Sequence, residues 1–157
     1  MLSPESLARI DCELTKYPED RRQSAVMSAL RIAQEEKGWL SKEVIAFVAS
    51  YLRIPAIAAL EVATFYNMYD LAPVGKHKIT VCTNISCHLR DAESIVEHLE
   101  HKLGVHCGET TADGKFTLRE GECMGACGGA PLLHINNTDM HESLTTEKID
   151  QILEGLK

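Results

Sequence analysis

The sequence predicts an α+β protein, with an N-terminal helical bundle over residues 1–72 and a small α/β domain over residues 73–157. Three observations predict it. In the first part apolar residues recur at helical spacing. In the second, short β-branched runs alternate with helical stretches. Between them, Leu71-Ala72-Pro73-Val74-Gly75 interrupts both patterns, as closely spaced proline and glycine do in a turn or linker. The composition changes across it. Residues 1–75 carry 8 basic and 10 acidic side chains and one cysteine, whereas residues 76–157 carry 8 basic, 13 acidic and five cysteines.

Each element has a local cause. Ser3-Pro4 supplies an N-cap and a proline at the first helical position, and that helix ends near Tyr17-Pro18. A second helix runs from about Glu19 to Glu36, with Val26, Met27, Leu30 and Ala33 on one face and Gly38 as its stop. Ser41 caps a third, which places Val44, Val48 and Leu52 at i, i+4, i+8. Ile54-Pro55 interrupts, and a fourth amphipathic helix continues through Leu60 and Ala63 toward Tyr66. In the second part His77–Cys82 is a strand and Asp91–Leu103 a helix. Lys115–Glu120 is a strand after the Asp113-Gly114 turn, and Leu132–Ile135 is another. Asn136-Asn137 turns into a short strand near Met140-His141. Thr145 or Thr146 caps a last helix with Ile149, Ile152, Leu153 and Leu156 on its apolar face.

The charge excludes some functions. Lys+Arg is 16 against 23 Asp+Glu, a net −7, whereas binding to a phosphate backbone depends on clustered cations. No run of about 18 apolar residues is present to span a bilayer. Met1–Leu14 lacks the basic and apolar regions of a secretory signal, and Glu5, Asp11 and Glu13 are foreign to a mitochondrial presequence. The expectation is a reducing cytoplasm, where six cysteines are better read as metal ligands or redox groups than as a disulfide framework. No phosphate-binding glycine loop of the P-loop or dinucleotide type occurs.

Four of the cysteines form two close pairs. Four residues separate Cys82 from Cys87, three separate Cys123 from Cys127, and 35 lie between the pairs. Thiolates are soft ligands that suit zinc or an iron–sulfur cluster. Zinc ribbons and fingers often keep two residues inside each pair, because one turn chelates one ion. The wider spacings here suit a rhomb of two irons and two sulfides, although both readings use four cysteines. Gly125, Gly128 and Gly129 allow backbone N–H groups to approach the sulfurs closely, or they serve only as turns. Glu120 and Glu122 beside Cys123 add negative charge, which disfavours reduction. His88 follows Cys87 and could donate a hydrogen bond near such a site. Cys12 and Cys107 stand outside the constellation, and no catalytic residue is assigned.

Taken together, these residues resemble the 24-kDa (E-type) subunit family of NADH–quinone oxidoreductase, respiratory complex I. The resemblance spans nearly the whole chain. It is carried by Gln34-Glu35-Glu36-Lys37-Gly38-Trp39-Leu40, Val62-Ala63-Thr64-Phe65-Tyr66, Val81-Cys82-Thr83-Asn84-Ile85-Ser86-Cys87, Asp113-Gly114-Lys115-Phe116 and Glu122-Cys123-Met124-Gly125-Ala126-Cys127 with Ala130-Pro131. Asp91, where many relatives have glycine, is a departure. The resemblance implies a thioredoxin-like domain behind the bundle and one [2Fe-2S] cluster on Cys82, Cys87, Cys123 and Cys127. It implies a flavin- and NADH-binding partner, the F-type subunit, which carries FMN and NADH, and a peripheral place at the inner membrane through the complex. Similar small subunits serve NAD-reducing hydrogenases and NAD-dependent formate dehydrogenases. A structural zinc scaffold is the alternative of another class. A stand-alone disulfide reductase would need a Cys-x-x-Cys pair, which this chain lacks.

Overall fold

A computed structural model describes residues 1–156, which fall into two compact units, Met1–Pro73 and a second that begins at Val74. The first unit is helical. Helix α1 (Pro4–Leu14) starts where the Ser3 hydroxyl accepts from the Ser6 N–H at 3.2 Å. The Ser3 N–H itself donates to the Glu36 carboxylate at 2.9 Å, which ties the start of α1 to the end of α2 (Val26–Lys37). Helix α3 (Lys42–Leu52) is capped by Ser41, and α4 (Ala56–Phe65) follows Pro55. Ile10, Leu30, Val48, Leu52 and Tyr69 meet in the core of this unit.

Three helical expectations need correction. The single helix over Glu19–Glu36 is instead a 3-10 segment, Glu19–Ala25, followed by α2. Arg21 leaves the helical region (φ −116°, ψ 29°), while the Arg22 guanidinium donates to the carbonyls of Leu52 and Tyr51 at 3.0 and 3.3 Å. Those carbonyls end α3 and lack helical partners, so capping α3 competes with extending α2. Helix α4 is not amphipathic. It buries Ala58, Ala59 and Ala63 and leaves Ile57, Leu60 and Phe65 exposed. Met27, expected in the α2 core stripe, is exposed as well.

The second unit is a four-stranded sheet with helices. Strand β1 (His77–Cys82) lies between β2 (Phe116–Gly121), parallel to it, and β3 (Leu133–Ile135), antiparallel; β4 (Asp139–His141) pairs with β3, giving the order β2-β1-β3-β4. Ile79 and Val81 alternate onto one face with Leu118, where α6 (Ala92–Leu103) and α7 (Thr146–Gly155) bring Ile95, Leu99 and Ile149. Cys82 has the opposite parity. The β3–β4 turn uses Asn136 and Asn137 in left-handed conformations (φ 52° and 64°), as a tight hairpin requires. Thr145 caps α7 through the Lys148 N–H. Between β1 and α6 lies a one-turn helix, α5 (Ile85–His88), which periodicity does not reveal.

Candidate metal centre

Strand pairing sets the inner half of the site. Cys82 closes β1 opposite Gly121 of β2, and its N–H donates to the Leu132 carbonyl at 3.0 Å. The next N–H, of Thr83, donates to the Gly121 carbonyl at 3.1 Å. Asn84 then starts α5 by accepting from the Ile85 N–H at 3.0 Å, and its amide donates to the Glu122 carboxylate at 2.8 Å. One asparagine therefore caps the helix that carries Cys87 and tethers the loop that carries Cys123. The turn of α5 points Cys87 inward, so Cys82 is 2% exposed and Cys87 1%. Ala92, Ala130 and Leu132 surround both, with Met124 and Ala126 at the margin.

The outer half is a loop. Cys123 and Cys127 are exposed, with their sulfurs 3.5 Å apart. Gly125 between them has φ +80°, a backbone state that glycine adopts without a β-carbon penalty. That turn aims the Gly125 N–H at the Cys123 thiol and holds it below its ordinary value; Cys127 acts in the same direction, and Glu122 against it. Burial pushes the Cys87 thiol up, with Cys82 hydrogen-bonded to it, while the Leu132 N–H pulls the other way. Met124 and Ala126, which lie within the loop of the outer pair, pack against the cluster that holds Cys82 and Cys87. Among the described residues, no three His, Cys, Asp or Glu side chains gather tightly around a single ion position.

The donor set fits an iron–sulfur group. It offers four soft thiols in two pairs, two backbone N–H groups aimed at sulfur and a small apolar surround. Such features would supply ligands and neutralise charge on sulfur, and the buried half would exclude water.

The other singled-out residues lie elsewhere. His88 faces Glu93 (Nδ1 to Oε1, 3.5 Å). His106, next to Cys107 in sequence, faces Glu100 (Nδ1 to Oε1, 3.4 Å). Burial pushes the Cys107 thiol up to about 11, with Glu120 and Glu100 adding to it, which leaves a protonated, unreactive thiol. Glu120, expected to add charge at Cys123, is hydrogen-bonded to Cys107 instead, because strand alternation sends it to the helix-covered face. Only Glu122 of the two acts on the outer thiol. Cys12 is exposed on α1, in the other unit. The tether through Asn84 was readable in principle, since asparagine is a strong N-cap residue.

A parallel β1–β2 pair, an antiparallel β3–β4 extension and helices on the sheet form the scaffold that carries these thiols. The chain belongs to the thioredoxin-like [2Fe-2S] ferredoxin family, whose model matches residues 10–157. Its relatives include the E subunit of the NADH-quinone oxidoreductase of Rickettsia conorii, 46% identical over 145 residues, which cover 92% of this chain and 86% of that protein. E subunit 2 of the NADH-quinone oxidoreductase of Rhizobium meliloti is 40% identical over 148 residues, covering 94% and 86%. Among solved structures, the NAD+-reducing [NiFe]-hydrogenase in the air-oxidized state shares the fold at a TM-score of 0.68 and 20% identity. The match covers 81% of this chain and only 22% of that one.

Proposed function

We propose that this chain is an electron-transfer subunit of a complex-I-type NADH:quinone oxidoreductase, with one [2Fe-2S] cluster on Cys82, Cys87, Cys123 and Cys127. The observation that carries the reading is that the loop of the exposed pair, Cys123 and Cys127, packs its Met124 and Ala126 against the buried pair, Cys82 and Cys87. When bound, the cluster supplies a one-electron couple. The chain's own residues do the rest. Cys82 and Cys87 anchor the inner side behind Ala92, Ala130 and Leu132, where water is excluded. The N–H groups of Gly125 and Leu132 stabilise negative charge on the Cys123 and Cys87 sulfurs.

The outer side is left for a partner. Ile85 and Leu89 stand 73% and 77% exposed at the ends of α5, in the unit whose outer thiols, Cys123 and Cys127, are exposed too. Large apolar side chains in that position suit burial against another protein. The partner is the flavin- and NADH-binding subunit, which holds FMN and NADH and exchanges single electrons with this one. The relatives named as E subunits favour this assembly, whereas the likeness to the NAD+-reducing hydrogenase, at 20% identity, is one of fold. No helix among the described residues is long and apolar enough to cross a membrane, and attachment to the inner membrane on the cytoplasmic side runs through the complex.

Serine scanning tests the ligand set. Serine at Cys82, Cys87, Cys123 or Cys127 replaces a soft thiolate by a hard oxygen and should abolish or reshape the reduced cluster's paramagnetic resonance signal. Cys12→Ser and Cys107→Ser should leave it unchanged. An unaltered signal in any of the first four would remove that residue from the set.

A further inference from the structure

The loop between β4 and α7 is fastened onto the turn that follows Cys127. The Ser143 N–H donates to the Gly129 carbonyl at 2.6 Å, and the Leu144 N–H to the Pro131 carbonyl at 3.0 Å. Between them and β4, the Glu142 side chain curls over Gly129. A β-carbon at Gly129 would overlap the Glu142 carboxylate oxygen and lie 2.7 Å from its Cβ and Cδ. The carboxylate thus occupies the space that a side chain at Gly129 would fill, two residues from Cys127. Lys148, the nearby cation, donates to the Glu142 main-chain carbonyl at 2.5 Å. It is therefore held at the backbone of Glu142, while the carboxylate is the charged group lying on the turn.

From this apposition we infer that Glu142 is a potential-setting residue: its carboxylate holds the cluster at a more negative reduction potential than a neutral side chain would. The inference rests on the proposed function. Reduction places one more electron on a group that is already anionic with four thiolates, and a fixed negative charge beside the ligand turn opposes that electron. Glutamine reproduces the steric part of Glu142, so a Glu142→Gln variant separates its charge from its packing.

The test is a dithionite redox titration of the full chain, wild type and Glu142→Gln, each assayed for iron and acid-labile sulfide. The expected result is a midpoint potential shifted upward in Glu142→Gln, with iron, sulfide and resonance line shape unchanged. The shift should shrink as salt is raised from about 0.01 M to 1 M, since the Debye length falls from about 30 to 3 Å. A purely steric latch would show neither effect. Gly129→Ala, which evicts the carboxylate, should shift the potential in the same direction, and Glu142→Asp should keep it nearer the wild type. A Glu142→Gln protein with full iron and sulfide and the wild-type midpoint at low salt would overturn the inference alone. A wild-type chain that takes up no iron and sulfide would overturn the proposed function, and this inference with it.

Discussion

Gly121 has no room for a side chain. A β-carbon there would lie 2.6 Å from the Thr80 methyl group, in the strand pair that delivers Cys82 to the site. Gly121→Ala should therefore destabilise the second unit by about 1–3 kcal/mol, the usual cost of overpacking. Thr80→Ser removes the offending methyl and should restore most of the loss in the double variant. Denaturant unfolding of the two singles and the double checks both statements; additive losses would contradict them. At this scale the pairing of the thiols was legible, because spacing within each pair is local. What surrounds them was not. Glu142 arrives from the far side of β4, Leu132 offers its N–H from the strand approach, and Glu120 is carried away by strand parity. None of these leaves a mark in the spacing of cysteines.

Helix α5 is a single turn and has no periodicity of its own, so it depends on its cap. Asn84→Ala removes both the Ile85 N–H acceptor and the donor to Glu122. Loss of an N-cap costs about 1 kcal/mol, and here it frees two ligand-bearing segments together. The prediction is a several-fold faster loss of iron to a chelator, with Asn84→Asp keeping the cap but not the tether and falling between. An unchanged rate in Asn84→Ala would show that α5 is held by Cys87 burial alone. Elsewhere the elements written by local signals were legible: the Ser3, Ser41 and Thr145 caps, the stop at Gly38 (φ +79°) and strand β1 all stand where residue type puts them. The break before α2 was not, because its cause is tertiary: Arg22 serves the end of α3, thirty residues away. Asp91 is legible only in hindsight. It sits at φ +65° before α6, a conformation open to glycine at no cost, and its carboxylate accepts from the Ser94 hydroxyl at 2.8 Å.

At the scale of the whole molecule, the histidines segregate with the fold. All seven histidines lie at His77 or beyond, in the second unit. Burial lowers the pKa of His77 and His134, and each has a buried ring nitrogen (Nε2 and Nδ1 respectively) without a partner among the described residues. Folding disfavours the charged form of both, so the unfolded chain binds more protons as pH falls below the ordinary histidine value of 6.5. Their stabilisation is full above pH 6.5 and is lost as pH falls through the lowered folded values. In the first unit Glu36 is held down to about 2 by Lys37 first, then by Ser6 and Ser3. Its stabilisation is full above pH 4.5 and is lost only as pH falls toward about 2. Amide hydrogen exchange from about pH 7 to 5, corrected for intrinsic rates, should therefore loosen the second unit and spare the first. Equal loosening of both would contradict this division.

The proposed function turns on whether Cys82, Cys87, Cys123 and Cys127 hold one iron–sulfur cluster. Metal and sulfide analysis of anaerobically purified chain tests it most directly. Two irons and two acid-labile sulfides per chain are expected, reduced to near zero in Cys87→Ser and unchanged in Cys107→Ser. One zinc per chain with no sulfide would contradict it and leave a structural scaffold in its place.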